Sequence, residues 1–200
     1  MKSPRLRQAA LAVLLLTVAS VVIATYSSRR AHYAGAVEPE PMRYSRYVDA
    51  EGNIGLPSDY DTTFLHLGTF AVATKPDGPT DEIHGVYARG EDVEAYRRDG
   101  EFPDGAVIVK DVYRTVSANL TTGHASWAKD VKVWFVMIKD AQGRFPGNDL
   151  WGDGWGWALF DGKDPKKQIA TDYRTDCRSC HIPAKKDDWL YVRGYPLLQK

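Results

Sequence analysis

One segment of the chain combines two thiols and an imidazole, in the motif Cys177-Arg178-Ser179-Cys180-His181. Thiols at this spacing can form thioethers with the two vinyl groups of one haem, and the adjacent histidine then reaches the iron. The C-x-x-C-H pattern is typical of c-type haem attachment. The chain has two cysteines, the number that one haem needs. We therefore predict one covalently bound haem c, held by Cys177 and Cys180, with His181 as an axial ligand of the iron.

Other uses of a close cysteine pair fit this sequence less well. A structural zinc site needs four ligands, and the chain has no second cysteine pair. A thioredoxin-like pair lies at the start of a helix near a βαβ unit, whereas this motif lies in the last quarter of the chain. A simple disulfide in an exported protein would leave His181 unexplained.

The sixth iron ligand decides what such a haem does. Electron-transfer cytochromes usually use a downstream methionine, but none follows the motif here. Met137 lies in a predicted strand, where it is expected in the core. A lone strand histidine is more often structural than a ligand, which applies to His66, His84 and His124. We expect an open sixth position, which binds or transforms a small molecule, whereas a saturated iron passes electrons.

The composition is that of a folded protein, with 44% hydrophobic and 26% charged residues. Its 26 basic and 26 acidic residues argue against nucleic-acid binding through a broad basic face. A basic start followed by an apolar run makes residues 1–24 a predicted signal peptide or N-terminal anchor, so we predict a periplasmic protein. Contact with a membrane is expected only through this segment, if it is uncleaved. We predict a linker over residues 25–52 and a mono-haem cytochrome domain over residues 53–200.

The patterning of that domain predicts an α+β fold, a mainly antiparallel β-sheet with a few short helices and the haem c packed against the sheet. No long run with a helical period supports a four-helix bundle. Helices are predicted over residues 91–98 and, around the cysteines, 171–184. Strands are predicted over residues 64–74, 83–88, 106–116, 131–139, 154–160 and 188–192.

A lysine interrupts the clearest of these strands. Alternation places Lys110 on the same side as Ala106, Ile108 and Val112, so it stands on an otherwise apolar face. Lys110 is then either an edge-strand gatekeeper or snorkelling side chain, which the pattern alone favours, or a nucleophile whose pKa is lowered by burial.

Three segments together resemble the cytochrome P-460 family: Phe102-Pro103-Asp104-Gly105-Ala106-Val107-Ile108-Val109-Lys110, the C-x-x-C-H motif, and Tyr195-Pro196-Leu197. The resemblance extends from about residue 56 to residue 198. The resemblance implies a mono-haem c-type cytochrome of mainly β fold that oxidises hydroxylamine to nitrous oxide or nitric oxide. It also implies that the lysine matched by Lys110 can be bonded covalently to the haem ring. The related β-type cytochromes c′ lack this cross-link and bind nitric oxide and similar gases. The presence of Lys110 favours the first branch.

The catalytic base is less clear from the sequence. Proton removal from hydroxylamine needs a base near the iron, but Trp134-Phe135-Val136-Met137 is wholly apolar where a distal carboxylate is expected. His84 could supply the base, with a structural role equally open. Asp149 and Asp153 are candidates by sequence position only, and residues 152–157 could line the haem pocket with indoles.

Three functions therefore remain open. The leading one is oxidation of hydroxylamine, a small-molecule substrate, with electrons passed to a redox partner protein. The alternatives are a non-enzymatic cytochrome that binds nitric oxide and a simple electron carrier. A homodimer is implied by the resemblance alone.

Overall fold

The computed structural model describes residues 44–199. The predicted signal peptide or anchor, residues 1–24, and most of the predicted linker lie outside this range. The compact unit begins at Tyr44, earlier than the predicted domain start at residue 53. Val48 is buried and pairs with Ile54, and the ring of Tyr44 lies 6.2 Å from that of Trp151. These apolar contacts make the end of the predicted linker part of the domain.

The domain is built on one antiparallel sheet of seven strands, and this confirms the predicted fold class. The strands are β1 (Leu65–Val72), β2 (Glu82–Ala88), β3 (Val107–Leu120), β4 (Gly123–Lys139), β5 (Trp151–Gly152), β6 (Trp155–Asp161) and β7 (Asp164–Gln168). Their order in the sheet is β1-β2-β3-β4-β6-β5, and β7 also pairs with β6. Two helices precede and follow the first hairpin, α1 (Tyr60–Thr63) and α2 (Gly90–Asp99).

Both faces of the sheet are buried, which explains the long apolar runs in the central strands. On β3, Ile108 belongs to one core, whereas Val107 and Val109 belong to the other. The first core lies beneath the C-terminal segment (residues 174–198) and α2. The second lies beneath the chain from Tyr44 to Phe64. Within residues 44–199, no helix combines the length and apolarity needed to cross a membrane.

The C-terminal segment is a series of short helical turns. A π-helical turn (Arg174–Arg178) and one α-turn, α3 (Ser179–His181), carry the cysteines, in agreement with the predicted helix. Three 3₁₀ turns follow: Ile182–Asp187, Val192–Gly194 and Pro196–Leu198.

The strand predicted over residues 188–192 is wrong. Asp188 and Trp189 have φ angles of 55° and 69°, in the left-handed region that an extended strand does not use. The N–H group of Trp189 donates to the carbonyl oxygen of Ala184 instead, so the chain turns back at this point.

Two glycines let the C-terminal segment pack directly on the sheet. A Cβ atom on Gly68 of β1 would overlap the carbonyl oxygen of Gly194, and one on Gly194 would overlap the ring of Phe70. The backbone at Gly194 can therefore approach β1 only because neither residue has a side chain.

Buried ion pairing attaches α2 to the start of β3. The Asp92 side chain, 1% exposed, accepts two hydrogen bonds from the guanidinium of Arg89, at 2.7 and 2.8 Å. It also accepts a 3.1 Å hydrogen bond from the N–H group of Val107, the first residue of β3. Asp188 accepts a 2.9 Å hydrogen bond from the N–H group of Phe102. The Phe102–Lys110 block is thus held between α2 and the C-terminal segment.

Candidate functional site

A cavity of about 380 Å³ lies between the sheet and the C-terminal segment, within the size range of small-molecule and cofactor sites. The sheet contributes mostly apolar side chains, from Phe70, Val86, Phe135 and Trp157 among others. All five residues that we singled out as site residues line this cavity: His84, Lys110, Cys177, Cys180 and His181.

The two cysteines occupy the wall formed by the C-terminal segment. Neither forms a disulfide; Cys177 is buried and Cys180 is exposed. Burial raises the pKa of Cys177 to about 12, so this side chain is an uncharged thiol at neutral pH. The arrangement offers one sulfur inside the cavity and one at its surface.

His181 is held in a defined tautomer. Its Nδ1 atom lies 2.7 Å from the carbonyl oxygen of Trp189. Because a carbonyl oxygen can only accept, Nδ1 carries the hydrogen and Nε2 keeps its lone pair. Burial lowers the pKa of His181, which favours the neutral ring, and the Trp157 ring packs edge-on 5.0 Å away. A neutral imidazole whose other nitrogen donates to a carbonyl group is the usual form of a metal-ligating histidine.

Lys110 lies in the sheet wall of the cavity. It is paired with Val86 on β2 and with Phe135 on β4, and its Nζ atom lies 4.1 Å from the centre of the Phe135 ring. The edge-strand interpretation is wrong, because β3 lies between β2 and β4. Burial lowers the pKa of Lys110, which increases the fraction of neutral amine, the nucleophilic form.

A second polar group faces the cavity from β2. The Nε2 atom of His84 lies 2.9 Å from a carboxylate oxygen of Glu82. Because the carboxylate accepts, Nε2 carries the hydrogen and Nδ1 is left as a proton acceptor. Burial lowers the pKa of His84 and the nearby Lys110 charge lowers it further, whereas Glu82 opposes both.

Glu82 is a residue that the sequence reasoning missed. Hydrogen bonds from Lys132 and His84 lower its pKa, so it is ionised at neutral pH. Its position two residues before His84 places both side chains on the same face of β2, a spacing that could have identified it.

Met137 is buried in the core, as expected, and also lines the cavity, whereas the other histidine and aspartate candidates lie outside the lining. His66 bonds to Thr69 and His124 bonds to Asn119, both on exposed surface. Asp149 and Asp153 pair with arginines of the C-terminal segment, Arg174 and Arg178.

Asp176 and Trp157 also line the cavity. Asp176 lies in the cavity lining, but its carboxylate accepts the N–H groups of Thr171 and Asp172. Of the aromatic segment 152–157, Trp157 lines the cavity, whereas Trp155 packs against Phe102.

This donor set fits a haem c group. Two thiols and a neutral histidine lie on one wall, and the opposite wall is mostly apolar, which suits the face of a porphyrin. A mainly antiparallel sheet that closes such a cavity against a C-x-x-C-H segment defines a β-sheet class of c-type haem protein.

The comparison with protein families leads to the same class. The family model described as Cytochrome P460 matches residues 57–192, so the chain belongs to the cytochrome P460 family, as its sequence resemblance predicted. Membership implies a haem c cofactor and its iron. The comparison with curated proteins finds no match.

Proposed function

We propose that this protein is a periplasmic mono-haem cytochrome that oxidises hydroxylamine and passes the electrons to a redox partner protein. The observation that carries the proposal is the position of Lys110. Its amine lies in the cavity that Cys177, Cys180 and His181 also line, and burial lowers its pKa.

Four side chains would hold the haem. Cys177 and Cys180 would hold it through thioethers, His181 would bind its iron through Nε2, and Lys110 would be joined covalently to the ring. When bound, the haem would supply a redox-active iron that could take up a small nitrogen compound.

The remaining residues of the cavity handle protons and water. Two hydroxylamine molecules give one nitrous oxide and one water, with release of four protons and four electrons. Nδ1 of His84 accepts a proton, and the ionised Glu82 holds the ring through Nε2 and stabilises the imidazolium that results. The apolar side chains of Val86 and Phe135 exclude bulk water from the cavity.

A gas-binding cytochrome is the second candidate, and one observation favours it. Phe135, and not a carboxylate, occupies the cavity wall beside Lys110. An apolar wall suits reversible binding of an uncharged gas such as nitric oxide, which requires no proton transfer.

Turnover of hydroxylamine by the purified holoprotein tests the proposal. With an added electron acceptor, we expect nitrous oxide or nitric oxide and reduction of the acceptor in balanced amounts. If a preparation in which Lys110 is cross-linked forms neither nitrous oxide nor nitric oxide, the enzymatic function is contradicted and gas binding is favoured. A ferrous haem that binds neither carbon monoxide nor nitric oxide excludes both functions and leaves the simple electron carrier.

A further inference from the structure

The surface around Cys180 is both apolar and basic. We call it the basic face and define it by Arg178, Ile182, Lys185, Lys186 and Tyr191. Ile182 is 48% exposed and Tyr191 is 39% exposed, although both are large hydrophobic side chains. The hydroxyl group of Tyr191 contacts the carbonyl oxygen of Cys180, which places the tyrosine beside the exposed thiol.

Two of the three cations of this face have no ion-pair partner among the described residues, whereas Arg178 pairs with Asp153. Lys185 and Lys186 are exposed, and neither forms an ion pair with any residue that the structure describes. Two of the nearby carboxylates have partners outside the face: Asp188 pairs with Lys139, and Asp176 accepts backbone N–H groups.

Asp187 is the remaining acid of this segment, and it is half-buried. The face therefore presents the two unpaired ammonium groups of Lys185 and Lys186 beside an apolar centre.

The basic face is connected to His181 through one residue. The Nζ atom of Lys185 lies 5.5 Å from the centre of the Trp189 ring, and the guanidinium carbon of Arg178 lies 5.7 Å from it. The carbonyl group of the same tryptophan accepts the Nδ1 hydrogen of His181. The face thus lies directly over the part of the chain that holds the histidine.

We propose that the basic face is the docking surface for an acidic electron-transfer protein, which takes electrons at the exposed Cys180 edge. The basic side chains steer an acidic partner towards this edge, and Ile182 and Tyr191 give it a short apolar contact. The proposal rests on the haem being held by Cys177, Cys180 and His181, but not on hydroxylamine as the substrate. Charge complementarity identifies the partner, because a chain with equal numbers of basic and acidic residues presents local positive charge here.

Small oxidants of opposite charge test the docking surface. The reduced holoprotein is mixed with ferricyanide, an anion, or with tris(phenanthroline)cobalt(III), a cation, and haem oxidation is followed by stopped flow. We expect Lys185→Glu/Lys186→Glu to slow the reaction with ferricyanide about tenfold at low ionic strength and to accelerate that with the cobalt complex. Both effects should disappear near 1 M salt, where the Debye length is about 3 Å.

A matched control separates local charge from net charge. Lys163 lies in the turn between β6 and β7, Lys166 lies in β7, and both are exposed. The variant Lys163→Glu/Lys166→Glu changes the net charge by the same amount as the variant of the basic face. We expect less than about a twofold effect from it. Lys185→Gln/Lys186→Gln removes the two positive charges without adding negative ones, and it should give an intermediate rate with ferricyanide. This variant still tests the proposal if the Glu variant does not fold.

Two outcomes would overturn the proposal. Equal rate changes in the two Glu variants would mean that net charge alone is responsible. Binding of the basic face to vesicles of anionic phospholipid, with unchanged ferricyanide kinetics, would assign it to a membrane surface. Loss of hydroxylamine turnover with an intact charge effect would contradict the proposed substrate and leave the docking surface standing.

Discussion

Lys110 and Phe135 face each other across β3 and β4, with the lysine Nζ atom 4.1 Å from the centre of the phenylalanine ring. The antiparallel register of a central strand pair determines this contact, so neither side chain can leave the cavity wall without a shift of the sheet. A buried amine and an aromatic ring therefore define the sheet side of the site.

We expect the amine of Lys110 to be bonded to the haem in the mature protein. Digestion of the holoprotein should release one haem joined both to the peptide with Cys177 and Cys180 and to the peptide with Lys110, detected by mass spectrometry. Lys110→Met should leave only the cysteine peptide on the haem. Lys132→Met, a substitution outside the cavity lining, should retain both links. An unmodified Lys110 in the wild-type protein would contradict the cross-link.

Removal of the His84 imidazole tests its role as the proton acceptor. His84→Gln is expected to lower kcat/KM for hydroxylamine about a hundredfold, because a positioned base contributes at least that much. The acidic limb of the pH profile should disappear with it. A variant with unchanged kcat/KM would show that His84 is structural.

The charges around His84 predict two opposite pH shifts. Burial lowers the pKa of His84, so activity that needs the neutral ring is present above this pKa and is lost as the pH falls through it. Glu82→Gln removes a charge that raises the pKa, and the acidic limb of kcat/KM should move to lower pH. Lys132→Met removes a charge that lowers it, and the limb should move to higher pH. Shifts in the same direction in both variants would contradict this assignment.

Close backbone approach at Gly68 predicts a large effect of a small substitution. Gly68→Ala should destabilise the protein by about 2–3 kcal/mol in urea unfolding, because the added methyl group overlaps a backbone oxygen of Gly194 that cannot move aside. The control is Gly90→Ala, at the start of α2, where the nearest atom to the new Cβ is 3.8 Å away. Comparable losses in both variants would mean that the close approach is not required.

The buried ion pair of Asp92 with Arg89 should contribute more to the free energy of unfolding than the exposed pair of Glu91 with Arg89. Asp92→Ala is expected to cost about 2–3 kcal/mol, because it removes the buried carboxylate that pairs with Arg89 and leaves the N–H group of Val107 without its acceptor. Glu91→Ala removes a carboxylate 3.5 Å from Arg89 whose side chain is largely exposed. We expect this control to cost less than about 0.5 kcal/mol in the same unfolding measurement.

Local features of the chain were predictable because they depend on spacing. Alternation in β3 places Ile108 and Lys110 on one face whatever the sheet order, and the structure has both in the cavity lining. Acids at the start, bases at the end and Gly100 beyond define α2 within the helix itself. The C-x-x-C-H spacing identifies the haem-binding segment by the same kind of local rule.

The features that were missed depend on distant partners. Asp188 and Trp189 adopt left-handed angles while Asp188 bonds to Lys139 and to the N–H group of Phe102, and no local pattern signals those contacts. Glu82 gains its place in the site only through its contacts with His84 and Lys132, the latter fifty positions away on β4.

The sequence by itself determined the chemistry available to this protein: the two thiols, the adjacent histidine and one lysine on an apolar strand face. Only the tertiary structure decided that these groups line one cavity, that Nε2 of His181 keeps its lone pair, and that Glu82 accepts a hydrogen bond from His84. The physical reason is that spacing along the chain specifies which face a side chain occupies. Packing between distant segments then specifies which faces meet, how deeply they are buried and which hydrogen bonds remain.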